Sequence, residues 1–349
     1  MKKWILLLVF ASCATLAAAQ GRWGVVNLSV AFLHQKPDYE SPLETQALMG
    51  TVVEIIAEQG YWRQVVQHDP PYVAWVTDLS LAEMKAPEVD AYFHDQKYIC
   101  TSPLSQVYSR PSVRSEILSE LVMGDLVRIL YNEKGRAERS AGFCRVLLPD
   151  GRAGYVRQRD LENFHAWAEK RSARPANLEK TVRSFEGIPY MWGGVSSKSM
   201  DCSGLVWMTY FMNGILLPRN ASQQAKCGIE VSLNRLKVGD LIFFGTPATA
   251  DAPERVAHVG ISLGGKEFIH ASHVVRICSL DSRAPNYYGN KIPLFAVRIV
   301  EPSGALTNPA RLSMVRSART ALHRDEIQDD GTWHPQYVAV PLLDSPWYF

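Results

Sequence analysis

The run Asp201-Cys202-Ser203-Gly204-Leu205-Val206-Trp207-Met208-Thr209-Tyr210-Phe211 decides the fold class of this chain. Cys202 stands just before an apolar helical stretch. The first N–H groups of a helix lack intrahelical partners and form the positive end of its dipole. Both favour thiolate over thiol, and the thiolate is the nucleophile. His258 and His270 lie further along, each in a strand-like segment. A cysteine on a helix start, faced by histidines from a sheet, has the parts of a nucleophilic hydrolase.

Just upstream, Gly187-Ile188-Pro189-Tyr190-Met191-Trp192-Gly193-Gly194 reads as a loop rich in glycine and aromatics. Phe164 to Glu186 before it has helical character, broken at Pro175-Ala176-Asn177, with Asn177 a candidate cap for a helix from Leu178. Gly214 and Pro218 end the cysteine helix. Downstream, Gly239-Asp240 turns into a buried strand, Leu241 to Gly245. Ala257 to Leu263 and Lys266 to Ser272 form a hairpin about Gly264-Gly265, and Phe295 to Val300 is a last strand. The two histidines flank position 264 symmetrically, so they are expected opposite one another or nearly so. Opposed residues share a sheet face with Cβ atoms about 4.5–5.5 Å apart. His258 then serves as base to Cys202 and His270 as the orienter that fixes its tautomer. A helix on an antiparallel sheet is an α+β core. A lone strand histidine is usually structural, and His34, His68, His94, His165, His273, His323 and His334 are read so. Two histidines and a cysteine could also hold a metal. No carboxylate or second cysteine stands in register, so no metal and no cofactor is expected.

The chain before residue 163 contains an imperfect repeat. Pro37 and Pro111 are 74 positions apart (111 − 37), and so are Gly50 and Gly124 (124 − 50). Val30-Ala31-Phe32-Leu33 answers to Ser105-Gln106-Val107-Tyr108. Trp62-Arg63-Gln64-Val65-Val66 answers to Phe143-Cys144-Arg145-Val146-Leu147. The copies close on Ala74-Trp75-Val76 and Gly154-Tyr155-Val156. Short alternating strands between Gly, Pro and Asp turns indicate small β barrels. This pattern resembles bacterial SH3-like domains, here placed at 21–86 and 90–162. Such domains bind walls, peptides or only their neighbours.

The 349 residues are 47% hydrophobic and 21% charged, an ordinary globular balance for two or three domains. Met1 to Ala19 reads as an export signal: Lys2 and Lys3, an apolar core from Trp4 to Phe10, and Ala17-Ala18-Ala19 before Gln20. That core is too short to span a membrane. Cys13 after Ala11-Ser12 resembles a lipoprotein cleavage site and is the alternative. Formal charge is 37 − 35 = +2, and losing Lys2 and Lys3 makes it 35 − 35 = 0. A neutral mature chain is not built as a polycation for nucleic acid. Arg136, Arg139, Arg145, Arg152, Arg157 and Arg159 cluster in sequence and are read as a solvated surface. Of six cysteines, five follow the signal, too few for a disulfide framework. Cys100 and Cys144 are read as buried thiols or a bridge, Cys227 and Cys278 as packing residues. Residues 301–349, with a helix from Pro309 to Arg324, are expected to pack on the main body without an assigned role. A monomer is expected.

The pieces GIPYMWGG, DCSGLVWMTYFMNGILLPRNASQQ, LKVGDLIFFG and VAHVGISLGGKEFIHAS, in that order, resemble the catalytic domain of NlpC-family cysteine peptidases, here over 175–300. The resemblance implies a papain-like fold that cleaves cell-wall peptides beside γ-D-glutamyl residues. It makes Cys202 the nucleophile, His258 the general base, His270 the third polar member and Tyr190 an oxyanion donor. Asp201 and Ser203 would shape the γ-D-Glu subsite, with Ser222 in a further substrate loop. Two SH3-like domains ahead of such a domain resemble the γ-D-glutamyl-L-diamino acid endopeptidases. These take stem peptides with a free N-terminal L-Ala, such as L-Ala-γ-D-Glu-diaminopimelate. In that subgroup an acid of the first domain, matching Glu44, pairs with the free amine, and Tyr72 matches an aromatic beside it. A hydrolase of intact wall with SH3-like anchors, and a non-catalytic wall-binding protein, are the competing readings.

Overall fold

The repeat is written into the backbone hydrogen bonds of the computed structural model, which describes residues 21–68, 71–307 and 339–345 together with Tyr348. Segment 1–19, with Cys13, and the helix expected from Pro309 to Arg324 lie outside these residues. Gly50 and Gly124 have φ of +88° and +96°, a region that favours glycine. Gly50 N–H donates to the Val26 carbonyl and Gly124 N–H to that of Cys100, at 2.9 Å in both copies. In the same way Thr51 bonds Leu48 and Asp125 bonds Val122, each at 3.1 Å.

Strand order repeats too. The first sheet runs, edge to edge, Leu43–Leu48, Val30–His34, Pro71–Thr77, Trp62–His68, Val52–Gln59, Arg22–Val26, Leu81–Met84. The second runs Ile117–Val122, Leu104–Tyr108, Ala153–Arg157, Phe143–Leu147, Leu126–Ile129, Lys97–Cys100, Leu161–Asn163. Matched strand for strand, the orders are identical. The addition in the second copy is the hairpin strand Arg139–Ser140. A helix, Ala86–His94, crosses the expected junction between the copies. Its capping bond runs from Lys85 N–H to the Glu88 carboxylate at 2.7 Å, and Val89 and Tyr92 pack on Val25 and Val52. Cys100 and Cys144 are buried, free thiols. Within the arginine run, Arg145 pairs with Glu138 and Arg152 with Asp150, so part of that charge is locally neutralised.

The two glycine turns pack on each other. A Cβ on Gly50 would come within 2.7 Å of Leu126, and one on Gly124 within 2.8 Å of Leu48. Asp125, fully buried where the first copy has Thr51, accepts from Met49 N–H at 3.0 Å and stitches the copies together. The second copy leads into helices Phe164–Glu169 and Pro175–Arg183. Asn177 is not the cap of the latter. Pro175 opens its first turn, where a missing N–H has no cost, and the Asn177 amide donates to Ser172 O instead.

The nucleophile helix, Cys202–Phe211, has nine of its ten residues buried, which is why it shows no polar stripe. It packs on a six-stranded antiparallel sheet in the order Ile229–Val231, Ile292–Arg298, Leu241–Thr246, Arg255–Gly264, Glu267–Ser272, Val274–Ser279. The apolar cluster around this helix also takes in Val30, Leu48, Ile99 and Val122 of the β units. The core is therefore continuous with both of them. Val340–Pro341 pairs with Ile215–Leu216, and Leu342 joins the same cluster, so the described part of the tail packs on the main body. The architecture is mixed α+β, with two N-terminal β sheets ahead of a helix-on-sheet domain.

Candidate active site

Asp201 is the N-cap of the nucleophile helix and accepts from Gly204 N–H at 2.7 Å. Its other carboxylate oxygen accepts from Gly193 N–H at 2.9 Å, in a loop turned by Gly193 at φ +78°. Gly204 is required here because a Cβ would stand 2.0 Å from the Gly194 carbonyl. The two glycine motifs of the sequence thus interlock and set Cys202 at the first turn. Cys202 is half-buried, and the backbone N–H groups of Val259 and Ser203 donate to its sulfur. Val259 follows His258, so that bond seats the base beside the thiol.

His258 Nε2 and His270 Nδ1 are 2.7 Å apart, and both rings are buried. Their register differs from the expected one. Gly264 pairs with Glu267, so the turn is Gly265-Lys266, and a bulge follows before Ser262 pairs with Phe268. Continuing that register puts Gly260 opposite His270, and a Cβ on Gly260 would lie 3.3 Å from His270 Cβ. The histidines are therefore diagonal rather than directly opposed. They still share a face and meet because imidazoles are long enough to span the diagonal.

Burial, not the helix dipole, governs the resting protonation. It pushes the Cys202 thiol up to about 11, with the Asp201 carboxylate next, against the opposing N–H groups and Arg219. Burial also holds His258 down to about 4 and His270 to about 3. Burial thus opposes the thiolate that the helix N-terminus favours, and it opposes a protonated His258 as well. A base depressed this far stays competent in mild acid and is lost only when pH falls through its own pKa. The value of kcat/KM should hold within about twofold from about pH 5.5 to 8 and drop below about pH 5. An acid limb at the ordinary imidazole value would show that burial does not control the base.

Tyr190 sits on the near side of the helix start, tied through its N–H to His273 O at 2.9 Å. Its hydroxyl makes no hydrogen bond among the described residues, and burial together with Cys202 and Asp201 raises its pKa to about 12. The hydroxyl stays protonated and can donate.

Three residues that sequence reasoning left unassigned complete the site. Arg219 is 2% exposed and places all five N–H groups. Nε donates to Thr45 Oγ1 at 2.8 Å, Nη1 to Asp201 and Ser203 at 3.0 and 2.9 Å, and Nη2 to Asp201 at 2.5 Å and Gly194 O at 3.5 Å. Asp201 and Ser203 are thus buried and engaged with Arg219. Asn220 Oδ1 accepts from the Tyr72 hydroxyl at 3.1 Å, and the same hydroxyl lies 3.1 Å from Glu44 Oε2. The structure therefore brings Glu44 and Tyr72 to the seam with the helix-on-sheet domain. Ser222 is exposed on the short helix Ala221–Gln224 that follows Asn220. Tyr288, with Phe244 and Phe268, walls the histidine pair and excludes water from it. An arginine or tyrosine after a loop carries no local signal for such roles. For Arg219, the buried N-cap acid it serves was the available hint.

A cysteine at the head of a buried helix, with a neutral histidine pair on the facing sheet, defines a cysteine peptidase. Residues 187–292 match the NlpC/P60 family and residues 33–81 the bacterial dipeptidyl-peptidase Sh3 domain. Residues 187–292 thus form an NlpC/P60 domain. It is 29% identical over 243 residues to the gamma-D-glutamyl-L-lysine dipeptidyl-peptidase of Bacillus cereus, covering 67% of this chain and 68% of that one. It is 29% identical over 279 residues to dipeptidyl-peptidase 6 of Lysinibacillus sphaericus, covering 75% and 93%. A crystal structure of an NlpC/P60 family protein from Bacillus cereus superposes with a TM-score of 0.65 at 25% identity, covering 79% of this chain and 99% of the other.

Proposed function

We propose that this protein is an exported peptidase that hydrolyses the γ-D-glutamyl–diamino acid bond of peptidoglycan stem peptides, preferring those with a free N-terminal L-Ala. The observation that carries this reading is the Tyr72 hydroxyl, which reaches both Glu44 of its own unit and Asn220 across the seam. A dipeptidyl-peptidase, as the relatives are named, counts two residues from a free amine. It needs a wall and a counter-charge at that distance from the nucleophile. The first β unit, read as an SH3-like barrel over 21–86, supplies the wall and Glu44 the charge. The second unit, 90–162, braces the first, and 175–300 is the papain-like catalytic part. Arg219 holds Thr45, next to Glu44, and Asp201, next to Cys202, so the counter-charge and the nucleophile are set by one side chain. Asp201 and Ser203 shape the γ-D-Glu subsite through Arg219, and Ser222 faces substrate from its rim.

In turnover His258 Nδ1 takes the thiol proton as the sulfur attacks the amide carbonyl. The Cys202 N–H and the Tyr190 hydroxyl steady the oxyanion. His258 returns the proton to the leaving amine, and water then opens the thioester.

Free L-Ala-γ-D-Glu-diaminopimelate and its N-acetylated form test the reading. The free peptide should be cleaved at least about 100-fold better, because the half-buried Glu44 carboxylate in the seam gains an ammonium partner from the free amine and none from the neutral amide. Glu44→Gln should lower kcat/KM on the free peptide about 10- to 100-fold and erase the preference. Equal cleavage of both peptides by the unaltered enzyme would instead favour a hydrolase of intact wall.

A further inference from the structure

His270 is fully buried, and its Nδ1 is taken up by His258. Its other nitrogen, Nε2, is buried with no hydrogen-bond partner among the described residues. A buried polar atom without a partner is rare enough to call for an explanation.

The hydrogen on that atom decides whether the base can work. To accept the thiol proton, His258 needs its lone pair on Nδ1, the nitrogen not turned to His270. Its own hydrogen is then on Nε2 and is donated to His270 Nδ1. His270 accepts there, so its hydrogen sits on Nε2. In the opposite arrangement His270 donates from Nδ1, and His258 carries its hydrogen on Nδ1. The base then presents a proton to the sulfur and cannot take one.

Tyr288 is the ring nearest to His270. The centroids are 4.6 Å apart with planes at 75°, against 5.1 Å for Phe268 and 5.0 Å for His258. In an edge-to-face pair at this separation a nitrogen on the pointing edge is roughly 3.5 Å from the ring centre, within N–H···π range. A ring face attracts an N–H and repels a lone pair, because the face is the negative side of the ring quadrupole. The ring is fixed in place: Ser279 N–H bonds Asn286 O at 3.0 Å and Tyr288 N–H bonds Ser279 O at 2.9 Å. Tyr288 is 5% exposed, and its hydroxyl makes no hydrogen bond among the described residues. The ring contacts both histidines, with centroids 4.6 Å from His270 and 5.8 Å from His258. Arg276, paired with His270 across the strands, and Lys291 near His258 both oppose a positive dyad, so the neutral tautomers are the species in question.

We propose that Tyr288 is a positioning residue whose ring face receives His270 Nε2–H and thereby locks the tautomer that frees His258 Nδ1 for the Cys202 proton.

The test is the histidine nitrogen spectrum of the full mature chain labelled with ¹⁵N-histidine, at pH 7. The expected result is both histidines in the Nε2–H form, with the His270 Nε2 proton shifted upfield by the Tyr288 ring. Tyr288→Phe should keep that spectrum and hydrolyse within about threefold of the unaltered enzyme. Tyr288→Leu should mix the tautomers and lower kcat about 10- to 100-fold, part of a general base's contribution, with KM little changed. His270 found as Nδ1–H in the unaltered protein overturns the proposal whatever the variants do. So does a folded Tyr288→Leu with unchanged nitrogen shifts, or a Phe variant as impaired as the Leu one. The spectrum needs no substrate, so it stands apart from the substrate assignment above.

Discussion

Cys202→Ala is expected to abolish turnover of the stem tripeptide, lowering kcat/KM by at least about 10⁴-fold while leaving the fold intact. The fold is spared because Cys202 gives up only the two N–H···S bonds from Val259 and Ser203. Asp201 caps the helix from outside it, and the nine residues after Cys202 carry the burial. A half-buried sulfur leaves little cavity, so the stability cost should stay under about 1 kcal/mol. His258→Ala should cost nearly as much activity, and the double variant no more than the worse single one. Nucleophile and base act as a unit, so their losses do not multiply. Product analysis by mass spectrometry together with urea midpoints separates the two effects. Retention of more than about 1% of activity in Cys202→Ala would mean the nucleophile lies elsewhere. The other cysteines among the described residues are poor substitutes, since Cys100, Cys144, Cys227 and Cys278 are all buried.

Much of this arrangement is legible in the chain because backbone geometry leaves few residue choices. The repeat shows through Gly50 and Gly124, since a positive φ in a crowded turn admits little else. The nucleophile helix shows through Asp201 and Gly204, one a cap and the other a backbone contact. The hairpin register was less legible. Gly264-Gly265 permits more than one turn, and a bulge at Leu263 moves the histidines from opposed to diagonal. The pull of burial on protonation was hidden for a different reason. A helix N-terminus is a local feature, whereas burial by Phe244, Phe268 and Tyr288 comes from distant strands and a loop. Arg219 and Asn220 were hidden likewise, because their partners Thr45 and Tyr72 lie in another unit.

That hidden arginine leads to the second large effect. Arg219→Met should destabilise the protein by about 3–5 kcal/mol, because it leaves the Asp201 carboxylate buried without its cation. The lower end is expected, since Gly204 and Gly193 still donate to that carboxylate. Arg219→Lys should recover only part of the loss. A lysine can meet Asp201 as a point charge but cannot also reach Ser203, Gly194 and Thr45 in the fixed directions of a guanidinium. Adding Asp201→Asn to Arg219→Met removes the orphaned charge and keeps a competent helix cap, so it should restore at least about 1 kcal/mol. Activity on the free stem peptide should not return with it, because the tie from the nucleophile turn to Thr45 stays cut. Urea unfolding and kcat/KM on free and acetylated peptide, run on all three variants, report the two effects separately. A loss below about 1 kcal/mol in Arg219→Met would mean that water reaches Asp201 and that the arginine is not the anchor. Stability regained in the double variant together with full preference for the free amine would instead show that Glu44 is placed by its own β unit alone.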